Sequence, residues 1–304
     1  MKQIVECVAN FSEGRRDDVV TRLIEAIETE IGVIVLDHSQ DFDHNRCVIS
    51  YAGPPQPVCE AAFKAIKLAS ELIDLTRHEG VHPRVGAADV IPLIPVHGVS
   101  LEECALLAQK LGQRVAAELD LPVYLYEAAA RRPDRTNLAE IRKGGYETLK
   151  RAIETDPARQ PDYGPSHIGP AGAVVIGARR ALIAFNLFLS TDDVNIARHI
   201  ATKIRASDGG LPAVKALGLY VGGQAQVSIN LTDYQVTPLY RVVEAVTAEA
   251  AAAGVRISHG ELIGLIPQDA VFAVAAHALH LPELSAERVL EPALLQKIGF
   301  AFEA

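Results

Sequence analysis

The sequence has little of what marks several specialised classes of protein. It contains no tryptophan and one methionine, and aromatic residues make up only 5% of its 304 positions. Acidic residues outnumber basic ones by 38 to 29, which gives a formal net charge of −9 at pH 7. A general nucleic-acid binder needs a broad basic field, so this charge balance disfavours that class.

Cysteine is also scarce, and its spacing forms neither a CxxC pair nor a zinc-binding pattern. This usage disfavours a disulfide scaffold and indicates buried, reduced thiols. The amino-terminal segment is too short and too polar for a signal peptide. Arg179 and Arg180 interrupt the most apolar long stretch, residues 171–189, so no membrane span is expected there. We therefore expect a cytoplasmic protein. The four cysteines are Cys7, Cys47, Cys59 and Cys104.

What remains is the composition of a globular chain, with 49% hydrophobic and 22% charged residues. Its length suggests roughly two domains of about 150 residues each. Apolar runs and helical spacings alternate in the order βαββαβ over residues 4–96, and a helix, a strand and another helix follow. A second βαββαβ order covers residues 182–266. The pattern predicts an α/β (α+β) chain of two ferredoxin-like subdomains with mixed sheets, residues 1–180 and 181–304, and a ligand cleft between them.

Two local patterns make sharper structural predictions. Ser100 and Glu103 form a capping box, which predicts the start of a helix. Pro92 and Pro95 predict that the strand over residues 89–96 lies near a sheet edge, because proline cannot donate to a strand ladder.

The carboxyl-terminal part of the first half is less regular. One helix is predicted over about residues 137–152, after a basic turn that contains proline. The segment 156–170 is rich in proline and glycine and has no periodicity, which predicts a linker or a functional loop.

The densest polar cluster is the segment 77–86, which lies between a strong amphipathic helix and a strand. His78 to His82 matches the HExxH zinc motif, but that motif binds zinc only on a helix. Gly80 weakens a helix here, and Pro83 disfavours the helical conformation at His82. A histidine that transfers protons fits the cluster better, since its ordinary pKa of about 6.5 suits that role. Packing of the loop, with solvated charges, is the structural alternative.

Two shorter polar segments have both structural and functional interpretations. The segment 10–15 predicts a helix cap, with Ser12 or Glu13 satisfying free amides, or a helix N-terminus that holds a substrate carboxylate. The segment 43–46 predicts an Asx-type turn, or a carboxylate clamp built on Arg46.

Two further segments also allow either a structural or a functional interpretation. Residues 162–170 predict an interdomain linker, or a loop whose Tyr163 stacks on a flat ring. Gln226, Ser228 and Asn230 lie on one face of a predicted strand, where they either line a cleft or face solvent.

Taken together, these motifs resemble glutamate formimidoyltransferase, also called glutamate formiminotransferase. The block RHEGVHPRVGA at residues 77–87 is the most specific match. Weaker matching blocks lie on both sides of it, in the same order as in the family, over about residues 4–270. The resemblance implies a two-subdomain α/β fold, a homodimer, and small-molecule substrates rather than nucleic acid or membrane. It implies transfer of the formimino group of N-formimino-L-glutamate to N5 of tetrahydrofolate, giving 5-formimidoyltetrahydrofolate and L-glutamate, in histidine degradation.

The resemblance also implies roles for particular residues. His82 corresponds to the catalytic histidine of the family, tetrahydrofolate is the co-substrate, and no metal is needed. Residues 163–172 correspond to the folate-binding loop. The implied substrate-binding residues are Asn10, Ser12, Asn45, Arg46, Arg84, Asp162, Tyr163, Gly164, Pro165, Ser166, His167, Gly169, Gly172, Arg179, Gln226 and Asn230.

The chain departs from the family pattern at a few positions. Ser39 stands where animal members carry an acidic residue, and residues 166–169 are less bulky than in those members. The main alternative is therefore formyl transfer between 5-formyltetrahydrofolate and glutamate. A HExxH zinc hydrolase and a noncatalytic folate-binding protein are less favoured. Animal members carry a fused cyclodeaminase domain, and we expect ammonia release here to need a separate enzyme.

The expected mechanism is transfer through a tetrahedral intermediate. N5 of tetrahydrofolate attacks the amidine carbon, and the bond to the glutamate nitrogen then breaks. His82 can accept the N5 proton and return it to the departing nitrogen. Both substrates are anionic, so an acidic protein needs a locally basic site, for which the candidates are Arg46, Arg84, Arg179 and Arg180.

Overall fold

The structure, a computed structural model, describes residues 3–81 and 83–298. The chain divides into two compact units, residues 1–180 and residues 181–304, called unit 1 and unit 2 below. Within the described ranges, no helix combines the length and apolar character needed to cross a membrane.

Unit 1 alternates strands and helices and then adds a strand, two short helices and a last strand. The elements are β1 (Ile4–Phe11), α1 (Asp17–Glu28), β2 (Ile34–Asp41), β3 (Arg46–Gly53), α2 (Pro55–Leu72), β4 (Ala88–His97), α3 (Leu101–Leu119), β5 (Val123–Glu127), α4 (Leu138–Arg142), α5 (Gly145–Ala152) and β6 (Val174–Ala178). Unit 2 contains β7 (Ile183–Leu189), α6 (Val194–Ile204), β8 (Val214–Val221), β9 (Gln224–Leu231), α7 (Leu239–Ala252), β10 (Ile257–Ile263), α8 (Gln268–Leu279) and α9 (Leu290–Ile298).

The strands of unit 1 form one sheet in the order β2-β3-β1-β4-β6-β5. The first four pair antiparallel in the ferredoxin-like arrangement, whereas β6 runs parallel to both β4 and β5. The predicted mixed sheet is therefore confirmed for this unit. Alternation along β1 buries Val5, Cys7, Ala9 and Phe11 in the hydrophobic core and turns Glu6 and Asn10 to the opposite face.

The strands of unit 2 form a second ferredoxin-like sheet in the order β10-β7-β9-β8. Every pairing in it is antiparallel, so the prediction of a mixed sheet is wrong for this unit. The difference arises because unit 1 extends the same four-stranded pattern with β6, which pairs parallel with β4, and with β5, which pairs parallel with β6. The four strands of the ferredoxin-like pattern pair antiparallel in both units.

The prediction that strand 89–96 lies near a sheet edge is wrong. β4 lies inside the sheet, between β1 and β6, and is buried from Ala88 to Ile94. Pro95 is tolerated because it lies opposite Val5, where the register between β1 and β4 shifts, and irregular positions accommodate the missing N–H of proline. The burial of its hydrophobic side chains thus places this strand inside the sheet despite its two prolines.

Other local predictions had mixed outcomes. The capping box is confirmed: the Glu103 N–H donates to Ser100 Oγ at 3.1 Å, and the Ser100 N–H donates to Glu103 Oε2 at 2.7 Å. The single helix predicted over residues 137–152 is wrong, because Gly144 and Gly145 adopt φ of +81° and +66° and separate α4 from α5.

Candidate functional site

The segment 77–86, called the histidine loop below, connects α2 to β4 in unit 1. His82, the predicted catalytic residue, lies outside the described residues. His78 is half-buried between two partners. Its Nε2 is 2.9 Å from the Asn45 carbonyl oxygen, and Arg84 Nε donates to its Nδ1 at 2.9 Å. Arg84 Nη2 also donates to the His78 carbonyl oxygen at 2.9 Å, so the loop closes on itself through one guanidinium.

Arg84 has further partners on α5. Its Nη2 lies 2.9 Å from Glu147 Oε1, and its side chain is only 12% exposed. Hydrogen bonding to Arg84 lowers the pKa of the Glu147 carboxyl. Because Arg84 already binds His78 and Glu147, a substrate carboxylate would have to displace Glu147 to reach it.

Asn45 joins the histidine loop to the segment that follows β1. It is buried and adopts the left-handed conformation, with φ of +48°. The Gly14 N–H donates to its Oδ1 at 2.9 Å, and its Nδ2 donates to the Glu79 carbonyl oxygen at 2.9 Å. Ser12 adds a second link, since its Oγ donates to the Gly86 carbonyl oxygen at 2.7 Å. Both predicted substrate-binding residues therefore hold the loop in place.

The end of the histidine loop is anchored by Asp89, which sequence reasoning missed. Its side chain is 2% exposed and accepts hydrogen bonds from the backbone N–H groups of Val85 at 2.7 Å and Gly86 at 3.2 Å. Arg142 on α4 donates to the same carboxylate at 2.5 Å. An acidic residue at the start of an apolar strand was the available signal for Asp89, whereas nothing in the sequence distinguished Arg142.

Arg46 and Arg142 place positive charge near this anchor, and Arg179 lies further along the sheet, beside Leu93. Burial lowers the pKa of Arg46, and the nearby charge of Arg142 lowers it further. Arg179 follows β6 and interacts with Glu6. Burial raises the pKa of the Glu6 carboxyl, and the positive charge of Arg179 lowers it in part. Repulsion between neighbouring guanidinium groups favours the binding of an anion beside them.

The segment before α1 already binds one of the protein's own carboxylates, that of Glu13. Glu13 is buried, and its Oε1 accepts from the N–H groups of Arg15 at 2.9 Å and Arg16 at 3.0 Å. Arg16 also forms an ion pair with Glu13 at 2.5 Å. Glu13 therefore satisfies free amides just before α1, as the capping interpretation predicted, although the side chain of the N-cap residue Arg16 makes no capping hydrogen bond. Asn10 lies on the sheet face opposite the core, where its Nδ2 donates to the Val8 carbonyl oxygen at 3.0 Å.

A cleft of about 400 Å³ opens beside the histidine loop within unit 1. Its lining combines guanidinium groups, carboxylates and amide or hydroxyl groups, a chemistry suited to a polar ligand that carries both donors and acceptors. The lining residues are Ser12, Glu13, Arg15, Arg16, Asn45, Leu72, Ile73, Asp74, Arg77 and His78.

The predicted folate loop, residues 163–172, meets the histidine loop at a close backbone crossing. Gly86 and Gly172 form an isolated bridge, and the Ala173 N–H donates to the Val85 carbonyl oxygen at 2.9 Å. A Cβ on Gly172 would lie 2.3 Å from that same oxygen, so a glycine is required there. The two loops predicted to hold the catalytic histidine and the folate are thus joined. Gly169 also lies close, since its carbonyl oxygen accepts from Tyr146 Oη at 3.2 Å.

The other end of the predicted folate loop packs on β5. The Asp162 and Arg135 side chains form an ion pair at 2.6 Å, and Asp162 Oδ2 also accepts from the Leu125 N–H at 2.8 Å. Arg131 lies over the Tyr163 ring, 4.4 Å from its centroid. The Asp162 carboxylate therefore serves the packing of the loop. Of the remaining predicted residues in this loop, Gly164 has φ of +85°, Pro165 is half-buried, and Ser166 and His167 are exposed.

Gln226 and Asn230 lie in unit 2, on the face of β9 opposite its hydrophobic core. Gln226 is buried, Ser228 is half-buried and Asn230 is exposed. On the neighbouring strand, Asn186 Nδ2 donates to Glu261 Oε2 at 2.9 Å, so this face carries a polar row.

The geometry does not favour the zinc interpretation of HExxH. Residues 78–81 are not helical, and both ring nitrogens of His78 already have protein partners. Over residues 3–81 and 83–298, no three His, Cys, Asp or Glu side chains come together as a metal site.

Comparison with known proteins identifies the class to which this fold and site belong. Residues 4–179 match the family model "Formiminotransferase domain, N-terminal subdomain", and residues 184–296 match "Formiminotransferase domain". The chain therefore belongs to the formiminotransferase family.

Two of the relatives are similar over nearly their whole length, and a third is a longer protein. The chain is 47% identical to the glutamate formimidoyltransferase of Thermoplasma acidophilum, over 95% of this chain and 96% of that protein. It is 42% identical to the glutamate formimidoyltransferase of Streptococcus pyogenes serotype M1, over 97% and 100%. The formimidoyltransferase-cyclodeaminase of Mus musculus is 44% identical over 91% of this chain, which spans 52% of that longer protein.

Proposed function

We propose that the chain is a glutamate formimidoyltransferase, which transfers the formimino group of N-formimino-L-glutamate to N5 of tetrahydrofolate in histidine degradation. The observation that carries the proposal is identity of 47% and 42% to two proteins of that name, over nearly the full length of each. The arrangement of unit 1 supports it, because a histidine-bearing loop, an arginine cluster and the predicted folate loop are connected there.

His82 is the proposed proton carrier. N5 of tetrahydrofolate forms a bond to the amidine carbon and passes its proton to His82. The tetrahedral intermediate then breaks its bond to the glutamate nitrogen, which takes the proton back from His82, so the imidazole ends as it began. The network at His78, Asn45 and Asp89 supports this role, since it fixes the loop on both sides of His82.

Arg46 and Arg179 are the proposed partners of the substrate carboxylates, and Arg142 lies near Arg46. Burial and the charge of Arg142 both disfavour the charge of Arg46, and Asp89 and Asp41 offset part of this effect, so an anionic substrate would add to that compensation. The loop 163–172 is the proposed folate contact, because it is joined to the histidine loop at Gly172. We assign Arg84, Asn45 and Ser12 to holding the loop rather than to direct substrate contact.

The decisive experiment measures 5-formimidoyltetrahydrofolate formation by the wild type and His82→Ala. We expect the variant to lose at least about a hundredfold in kcat, because one general acid–base is removed. Folate binding, measured by calorimetry, should change little. The matched control is His199→Ala, on the exposed side of α6. Normal turnover by His82→Ala would remove this residue from the mechanism.

Parallel assays separate the alternatives. Faster turnover with N-formylglutamate or 5-formyltetrahydrofolate would identify a formyl transferase, and Ser39 on β2 would be the first residue to exchange. Loss of activity in chelator would support the zinc interpretation. Stoichiometric folate binding without turnover on any donor would identify a binding protein.

We further propose that the enzyme is a homodimer of the cytoplasm, as the family resemblance implies. Light scattering on the purified full chain tests the first part. A mass matching one chain of 32.6 kDa would contradict it.

A further inference from the structure

The two ring nitrogens of His78 face groups of opposite character. Arg84 Nε lies 2.9 Å from Nδ1, and a guanidinium can only donate, so Nδ1 must accept with its lone pair. Nε2 lies 2.9 Å from the Asn45 carbonyl oxygen, which can only accept, so Nε2 must carry the hydrogen. A single state of the ring satisfies both contacts, namely the neutral imidazole protonated at Nε2.

The charges around the ring act against its protonation. Burial lowers the pKa of His78 most, and the positive charges of Arg84 and Arg15 lower it further. The hydrogen bond to the Asn45 carbonyl oxygen and the negative charge of Glu13 oppose these effects.

Charged groups on the other elements are arranged around this contact. Glu147 on α5 faces it through its pair with Arg84. Arg16, Asp74 and Arg77 line the cleft beside the ring.

We propose that His78 is a positioning residue, which holds the histidine loop through its neutral ring and releases that loop when the ring is protonated. This inference deepens the proposed function, on which its activity readout rests, because the loop also carries His82. Protonation would place a hydrogen on Nδ1 directly against the Arg84 Nε–H. Two donors and two positive charges would then face each other, and the contact could not persist.

The direction of the pH effect follows from the lowered pKa. The unfolded chain binds a proton at His78 near the ordinary value of 6.5, whereas the folded protein resists it. The contribution of His78 to stability and loop order is therefore complete above that value. It is lost as the pH falls from 6.5 through the lowered pKa of the folded state.

The first test reads the ring itself and needs no activity. Nitrogen-15 NMR of histidine-labelled full chain, with His78 assigned by comparison with His78→Gln, should show a bare Nδ1 and a protonated Nε2 at pH 7.5. His78 should titrate below the ordinary histidine value of about 6.5. A hydrogen on Nδ1 at pH 7.5, or titration of His78 at or above that ordinary value, would overturn the proposal.

The second test separates positioning from catalysis. His78→Ala removes both contacts and should lower kcat by at least about tenfold, since slight misplacement of a catalytic group is costly. His78→Gln retains one acceptor and one donor, so it should restore most of the turnover that His78→Ala loses. Because glutamine does not titrate, this variant should also lose the fall in activity that protonation of His78 causes at acid pH. Equal losses in both variants, with both proteins folded by circular dichroism, would contradict positioning. If the wild type shows no formimidoyl transfer, the proposed function fails, while the NMR result still decides the state of His78.

Discussion

Asp162 and Arg135 form an ion pair whose side chains are only 5% and 4% exposed. The pair fastens the segment before the predicted folate loop to β5, because the same carboxylate accepts from the Leu125 N–H. Breaking a buried pair by removing one partner leaves an uncompensated charge, which costs more than the pair itself contributes. The family resemblance implies a substrate contact at Asp162, whereas its surroundings indicate a role in stability.

Asp162→Ala is therefore expected to destabilise unit 1 by about 3–5 kcal/mol, since Arg135 would remain buried without its partner. Urea denaturation followed by circular dichroism measures the loss. Asp134→Ala is the matched control, because its pair with Arg132 is largely exposed and should leave the midpoint unchanged. Unchanged stability of Asp162→Ala, together with a raised KM for tetrahydrofolate, would restore Asp162 to the substrate-binding residues.

Four of the residues predicted to bind substrate lie together in the structure, and their role in binding stays a prediction. Ser12, Asn45, Arg84 and Gly172 do gather around the histidine loop, although their polar groups bind the protein itself. Sequence patterns locate polar clusters, but they do not show which groups find partners across distant segments. Arg142 illustrates the limit, since it reaches Asp89 from 53 positions away.

At the scale of secondary-structure elements, the histidine loop and the predicted folate loop contact each other directly through their backbones. Gly172 has φ of +75°, and its missing Cβ makes room for the Val85 carbonyl oxygen. Where the chain must cross itself this closely, only glycine avoids both the left-handed strain and the clash.

Gly172→Ala should lower stability by more than the roughly 1–2 kcal/mol of left-handed strain alone, and it should separate the two loops. Thermal unfolding measures the change in Tm. Gly209→Ala provides the control, because Gly209 has a similar φ of +84° and open space where its Cβ would lie. Equal losses in the two variants would mean that the loops are not packed backbone against backbone.

The order of strands and helices was more predictable than their ends. Both βαββαβ patterns followed from hydrophobic periodicity and are confirmed, because burial on one face imposes the spacing directly. The strand at Val174–Ala178 was missed, since it is buried on both faces and lies within a longer apolar run that has no alternation. The second pattern was predicted to end with a strand at residue 266, and that strand lies at Ile257–Ile263, a shift typical of a weakly patterned edge strand.

Across the whole molecule, cysteine chemistry is suppressed by burial. Burial raises the pKa of Cys7, Cys47 and Cys59 to about 12, and that of Cys104 to about 11. The thiolate is the reactive form, so these side chains are expected to be inert in the folded protein.

The native protein should therefore react slowly with a disulfide reagent near pH 8, and all four thiols should react at once in denaturant. Absorbance of the released thiol measures both rates. Prompt modification of a thiol in the native state would show that at least one cysteine is accessible. The same assay after addition of folate would report whether ligand binding changes the opening of unit 1.

The position of β6 also has a consequence for biosynthesis. This strand lies between β4 and β5 in space, although it is the last strand of unit 1 in the chain. A nascent polypeptide emerging from the ribosome can complete the first four strands early, while β5 must wait about fifty residues for the neighbour that pairs with it. Until then β5 has no neighbouring strand, so we expect its backbone N–H and C=O groups to stay without ladder partners during this interval.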